Sequence, residues 1–268
     1  ALGGSRVQIG GPAGAFVPLL APIVALHGPA GLVVCSLMAG LILFVLGATR
    51  MGDLIKFIPF PVVTGFTSGI AVIILSTQLR DFLGLDLKLP SDFIGKLTTL
   101  AGHFAPNWPT VLLSVVGVLL IWFWPKNLGR RLPGSIAVII ISGAAVAFFN
   151  PDERWGIQTI QTQFGGIAQS LPAPHLPVLP FSEWRTLFGA ALTIAVLGAI
   201  ESLLCAVVAD GMMDDRHDSN QELMAQGIAN IGSALFGGLP ATGAIARTAT
   251  NIRSGGKTPV AGIIHALT

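Results

Sequence analysis

Arg6-Val7-Gln8-Ile9-Gly10-Gly11-Pro12-Ala13-Gly14-Ala15-Phe16 is one of two stretches that decide the fold of this chain. The other is Gly238-Leu239-Pro240-Ala241-Thr242-Gly243-Ala244-Ile245-Ala246-Arg247-Thr248. Each lies inside an apolar run and places glycine, proline and small residues where an uninterrupted membrane helix carries leucine. Paired interrupted segments point to the binding site of a secondary transporter. The second break also carries an arginine between two long uncharged stretches, which points to an anion as cargo.

Composition sets the class. Of 268 residues, 52% are hydrophobic and 10% charged, and the mean hydropathy is +0.76. A soluble domain carries about 25% charged residues. So few charges do not cover a water-facing surface, so an all-α integral membrane protein is expected. A net charge of +2 with no basic run gives no support to nucleic-acid binding. Cys35 and Cys205 lie inside apolar spans and read as small packing residues. The chain opens within a broken span and ends at Thr268 inside a new apolar run, so it reads as a piece of a larger transporter.

A membrane helix needs roughly 20 apolar residues. Spans are expected at Arg6 to His27 (broken), Leu32 to Ala48, Phe60 to Thr77 (entered through Ile58-Pro59), Pro109 to Trp124, Leu132 to Phe149, Trp184 to Ala209, Ser219 to Gly237 and Leu239 to Ser254 (broken), with another beginning at Val260. Asp92 to His103 reads as an interfacial helix. Asn150 to Ser182 reads as a polar loop kept extended by Pro172, Pro174, Pro177 and Pro180. Loop charges suggest orientation. Arg50, Lys56, Lys126, Arg130, Arg131, Arg216, Arg253 and Lys257 fall on one side, expected to be cytoplasmic. Arg80, Lys88, Lys96, Arg154 and Arg185 fall on the other.

In the first break, Val7 to Ile9 is short and β-branched, and Gly10-Gly11 holds a helix poorly. Pro12 suits a first helical position. Ala13, Gly14 and Ala15 would then carry unpaired N–H groups at a helix start, which bears roughly half a positive charge and binds anions. The bland alternative is a proline kink. In the second break, Ala244 to Ala246 reads as a short extended piece and a half-helix starts near Arg247 and Thr248. No charge lies between Glu222 and Arg247, so the guanidinium is deep, at a cost of at least ~2.5 kcal/mol. It either snorkels to the surface or serves as a fixed cation beside an anion.

Glu201 follows the uncharged run Thr186 to Ile200. Intramembrane carboxylates commonly relay protons or ions. Desolvation disfavours its ionised form and a nearby Arg247 favours it; a structural salt bridge between the two is the alternative. Two helix starts contribute roughly +1 together and Arg247 one more. With Glu201 ionised the site suits a monoanion, and with Glu201 protonated a dianion.

The span from Ser219 opens with Ser219-Asn220-Gln221-Glu222, a capping-box pattern. Its small residues, from Ala225 to Gly237, suit close helix packing against the broken spans. Gly255-Gly256-Lys257-Thr258 fails as a phosphate loop, because Asn251 replaces the first glycine and no strand precedes it. His27, His103, His175, His217 and His265 are scattered loop or span-end residues, and no cofactor, metal or enzymatic constellation is expected.

The stretches Gly3 to Phe16, Leu197-Gly198-Ala199-Ile200-Glu201-Ser202-Leu203-Leu204, Ser219-Asn220-Gln221-Glu222-Leu223 and Gly243 to Asn251 resemble the sulfate permease (SulP) family of anion transporters, whose animal members include prestin and pendrin. The resemblance covers the whole chain. It implies two inverted repeats of seven segments, divided into core and gate, with two half-helices preceded by short strands. This chain would supply segments three to ten and the start of eleven. Residues 1–57 and 183–268 would be core, 58–150 gate and 151–182 an outer loop; the family's cytoplasmic STAS domain is not in this chain.

By that resemblance the anion lies among Gln8, Pro12, Ala13, Gly14, Ala15, Phe16, Ala246, Arg247 and Thr248, and Glu201 is the coupling carboxylate. Prestin-like members have serine where this chain has Ala246. Sodium-coupled bicarbonate members carry aspartate at the Glu201 position and lack the arginine, so protons are the expected coupling ion. Sulfate, bicarbonate or a C4-dicarboxylate is the expected substrate. A bacterial inner-membrane homodimer with elevator-like alternating access is the expected setting. An anion channel, a nucleobase carrier of the same architecture and a non-transporting scaffold remain rivals.

Overall fold

The computed structural model describes residues 2–53, 60–87, 89–90, 92–125, 128, 132–149, 154–165, 172–174 and 181–267. The expected loop charges Lys56, Lys88, Lys126, Arg130 and Arg131, the Ile58-Pro59 entry, His175, Pro177 and Pro180 lie outside them. Two units are distinguished: residues 1–67 with 171–268, and residues 68–170.

The first unit is built around two short strands, β1 (Gly10–Pro12) and β2 (Ala241–Gly243). They pair antiparallel, with Gly10 opposite Gly243, Gly11 opposite Thr242 and Pro12 opposite Ala241. The paired strand therefore begins after Val7–Ile9, and Pro12 closes a strand rather than opening a helix. A proline fits at a strand end because its missing N–H is not needed by the ladder. After β1 comes a single tight turn, Gly14–Phe16, and then α1 (Val17–Ala48), where Pro18 takes the early helical position. After β2, Ala244 is the cap and helix already includes Ile245 and Ala246, so the expected extended piece at Ala244 to Ala246 is one residue long.

α1 is two limbs. Gly28 has φ +67°, outside the helical region, and Pro29 follows it. A straight helix would separate residues 16 and 43 by roughly 40 Å at ~1.5 Å per residue. Instead the Phe16 ring and Leu43 Cδ1 lie 3.5 and 3.8 Å from the position of a methyl on Gly198. The chain folds back at Gly28, giving two adjacent spans, as expected for Arg6–His27 and Leu32–Ala48. Glycine supplies the left-handed turn without a Cβ penalty.

In chain order the other helices are α2 (Phe60–Leu83), α3 (Phe93–Gly102), α4 (Trp108–Trp122), α5 (Gly134–Phe149), α6 (Ile160–Phe164), α7 (Phe181–Met213), α8 (Ser219–Leu235), α9 (Ile245–Arg253) and α10 (Pro259–Leu267). α7 packs on both limbs of α1. Phe16, Leu20, Val34, Ala39, Leu43, Leu187, Ile194 and Leu203 share one buried cluster. At the turn end His27 Nδ1 lies 2.8 Å from Glu183 Oε2.

α8 lies against the second limb of α1 through glycines. A methyl on Gly40 would sit 2.9 Å from Gly227 O, and one on Gly227 2.6 Å from Phe44 N. Without a hydrophobic drive between helices in lipid, such small-residue contacts carry association. The helix N-cap is Asp218, whose Oδ1 accepts from Asn220 N and Gln221 N. The expected Ser219–Glu222 capping box is not formed, because Glu222 turns inward to accept from Ser5 N at 3.3 Å.

In the second unit, α4 and α5 meet where a methyl on Gly117 would lie 3.2 Å from Val138 Cγ1. α3 is capped by Asp92, which accepts from Gly95 N at 2.6 Å, matching the short helix expected there. The expected extended loop contains α6, opened by a reciprocal Thr159–Thr162 capping box. The outer faces of α4 and α5 expose Trp122 (80%), Ile139 (70%) and Phe148 (81%). Exposed apolar area on this scale marks a face meant for apolar surroundings.

Candidate functional site

The strand pair brings two helix starts together. At the first, Ala13 has extended backbone angles (φ −106°, ψ 134°) and no side chain caps the turn. At the second, the cap is Ala244, again without a side-chain partner. Among the described residues no acceptor is recorded for the N–H groups of Gly14, Ile245, Ala246 and Arg247, while Phe16 N donates to Ala13 O and Thr248 N to Ala244 O. Alanine at both caps leaves these donors open, where serine or aspartate would have filled them. Open N–H groups at a helix start attract anions.

Arg247 lies in the first turn of α9, and its Nη1 is 2.8 Å from the position of a methyl on Gly11. The guanidinium thus reaches back over β1. Among the described residues it forms no ion pair, so the expected alternative of a Glu201–Arg247 salt bridge is not realised. Ala246 and Arg247 are exposed, as are Pro12 and Gly14.

Three expected site residues face inward. Phe16 is 1% exposed and packs in the core cluster against Gly198. Thr248 is wholly buried: its Oγ1 accepts from Ile9 N at 2.9 Å and from Cys205 Sγ at 3.2 Å. Gln8 Nε2 donates to Ser202 O at 3.2 Å, while its Oε1 is buried without a partner. Ala15 belongs to the turn after β1. These residues hold the strand pair and helix starts; Pro12, Gly14, Ala246 and Arg247 form their open side.

Glu201 sits within α7, and its Oε2 is buried and unpartnered. The next residue, Ser202, ties α7 to β2: its Oγ lies 2.9 Å from Thr242 Oγ1 and accepts from Gly243 N at 3.1 Å. Any displacement of this turn of α7 is therefore felt at both strands.

Sequence reasoning missed Asn230 of α8. Its carboxamide pairs with Ala241 in both directions, Ala241 N donating to Oδ1 at 2.8 Å and Nδ2 donating to Ala241 O at 2.9 Å. It acts as a short third strand on the free side of β2. The available signal was a polar stripe at four-residue spacing, Asp218, Glu222, Gln226 and Asn230, on a helix otherwise rich in small residues.

Two helix starts joined by a strand pair, in a chain whose α4 and α5 expose large apolar side chains, are the arrangement found in broken-helix membrane proteins. The whole chain, residues 1–268, matches the Sulfate permease family, and it belongs to that family. YvdB of Bacillus subtilis (strain 168), which carries a provisional sulfate-transporter name, is 42% identical over 265 residues, covering 98% of this chain and 49% of that protein. The bicarbonate transporter BicA of Synechocystis is 33% identical over 275 residues, covering 99% and 47%. The solved transmembrane domain of a cyanobacterial BicA superposes with a TM-score of 0.84 at 32% identity, covering 99% of this chain and 68% of that one. The chain spans about half the length of these curated relatives. They are named as transporters, not enzymes.

Proposed function

We propose that this chain forms the anion-binding part of a secondary active transporter for sulfate, bicarbonate or a C4-dicarboxylate. The anion is held between the starts of the α1 and α9 half-helices. One observation carries this reading: the β1–β2 pair joins two uncapped helix starts, and Arg247 reaches over Gly11 between them. Two starts and one guanidinium contribute roughly +2 in all, which sulfate or a dicarboxylate balances when Glu201 is protonated; with Glu201 ionised, bicarbonate balances the roughly +1 that remains. The names of the matched relatives support sulfate and bicarbonate as the first anions to test.

Protons are the proposed coupling ion and Glu201 their acceptor. Its unpartnered Oε2 is available for a proton, and uptake of one raises the positive balance of the site. Residues 1–57 and 183–268 are proposed as a moving core and 58–150 as a gate, with elevator-like exchange of access in a homodimer of a bacterial inner membrane. The separation of residues 68–170 from the rest supports that division.

The test is uptake by liposomes carrying the full-length transporter, comparing sulfate, bicarbonate and fumarate with and without an inward proton gradient. Accumulation of at least one anion against its own gradient, enhanced by the proton gradient, is expected. Dissipation without accumulation would instead establish a channel. Uptake indifferent to the proton gradient would end the coupling assignment.

A further inference from the structure

A cavity of ≈ 440 Å³ separates the segment before β1 from α8, with Ser5, Arg6, Gln8, Glu222 and Gln226 in its wall. At ~30 Å³ per molecule, this space admits on the order of ten waters. Glu222 is 2% exposed, yet among the described residues its carboxylate accepts only from neutral donors: Ser5 N at 3.3 Å and Gln226 Nε2 at 3.1 Å. Among the described residues no cation lies within ion-pair distance of it. Buried ionisable groups in membrane segments commonly mark proton or ion pathways.

Gln8 also lines this cavity, and its Oε1 is buried without a partner. Its Nε2 bonds the carbonyl of Ser202, one residue from Glu201, whose Oε2 is likewise buried and unpartnered. Gln226 Nε2 faces β1, 3.7 Å from the position of a methyl on Gly10. Polar groups thus extend from the Asp218 end of α8 through Glu222 and Gln226 to Gln8, whose amide bonds the backbone carbonyl next to Glu201.

We propose that Glu222 is a second protonatable station, open to water in this cavity, and that it carries the coupling proton between Glu201 and the Asp218 end of α8. The inference rests on the proton-coupled reading above. The step is a proton transfer alone: the Glu222 carboxyl O–H breaks, water passes the proton, and an O–H forms on the Glu201 carboxylate. No electron moves. Arg6 shares the cavity wall with Glu222, and Asp218 lies one turn away on its own helix; Asp210, Asp215, Arg216 and His217, with Asp53 after α1, line the neighbouring cavities that reach Arg6 and Asp218. α10 contributes apolar and glycine residues, Pro259, Gly262 and Ala266.

The experiment compares two modes of transport by the full-length protein in liposomes, with sulfate, bicarbonate and fumarate as probes. Net accumulation driven by a proton gradient requires proton delivery; exchange of labelled for unlabelled anion at equal pH does not. Glu222→Gln is expected to lower the driven mode about tenfold or more while exchange stays within about twofold. Glu222→Asp, which keeps the carboxyl, restores part of the driven mode. An unchanged driven mode, or an equal loss of both modes, overturns the proposal. If Glu222→Gln fails to fold, Gln226→Leu is read in the same two assays, and an unchanged ratio between them overturns it equally. If the wild type moves none of the three probes with protons, the coupled reading fails first, and the relay falls with it.

Discussion

Arg247 lies over Gly11. Its Nη1 is 2.8 Å from where a methyl group on that glycine would be, although the two residues are far apart in sequence. The absence of a side chain at Gly11 is what lets the guanidinium cross the strand. The charge of one half-helix is thereby presented beside the start of the other.

Gly11→Ala should therefore push the guanidinium aside while leaving the fold intact, because the obstructing atom is the free end of a flexible side chain. One charge-assisted contact is worth about 1.5–3 kcal/mol, so the KM for the transported anion should rise about tenfold or more. The melting temperature in detergent should hardly move. In an Arg247→Ala background the same substitution should add little; full additivity in that double-mutant cycle would show that the two positions act separately.

Arg247→Lys retains the charge but loses the planar fork. Weaker uptake than wild type and stronger uptake than Arg247→Ala is the expected order, measured as kcat/KM for the same anion. Equal activity of all three proteins would remove Arg247 from the anion site.

Glu201→Gln should abolish the response to a proton gradient while anion exchange persists. The measurement is accumulation with and without an imposed gradient. Uptake that remains fully gradient-dependent would exclude Glu201 as the proton acceptor.

Asn230→Leu removes both hydrogen bonds to Ala241 and leaves a backbone N–H and C=O unsatisfied. At about 1–3 kcal/mol for each buried group left unmade, a clear drop in melting temperature is expected. Asn230→Asp, which keeps the acceptor for Ala241 N, should fall between. A Leu variant as stable as wild type would mean that pairing with β1 and the Ser202 contacts suffice to hold β2.

Gly227→Val tests the α1–α8 contact. The first carbon of the new side chain would lie 2.6 Å from Phe44 N and 2.7 Å from Gly40 O, both backbone atoms, so the helices must part. Overpacking of this kind costs about 1–3 kcal/mol, read as earlier thermal unfolding. Gly232→Val on the same helix meets nothing within 4 Å and should melt close to wild type.

The positions of both breaks were legible because glycine and proline act on the backbone locally, wherever the rest of the chain goes. The membrane class, the small-residue face of α8 and the isolated Glu201 followed from composition and spacing alone. The strand limits did not. Pro12 reads equally well as a first helical residue or a strand end, and only pairing with Ala241 decides between them. The capping box at Ser219 also failed, because Glu222 found Ser5 across the fold, whereas Asp218 was one residue away and could cap equally well.

What the amino-acid order determined by itself was where helix cannot continue, since that depends on intrinsic backbone freedom. Which side of each broken segment faces the site was decided by tertiary structure. Thr248 and Phe16 turn inward, and Arg247 and Pro12 outward, because the rotation of each half-helix is set by the β1–β2 register and by packing on α7. The strand pairing joins residues more than two hundred positions apart, and no local propensity encodes it.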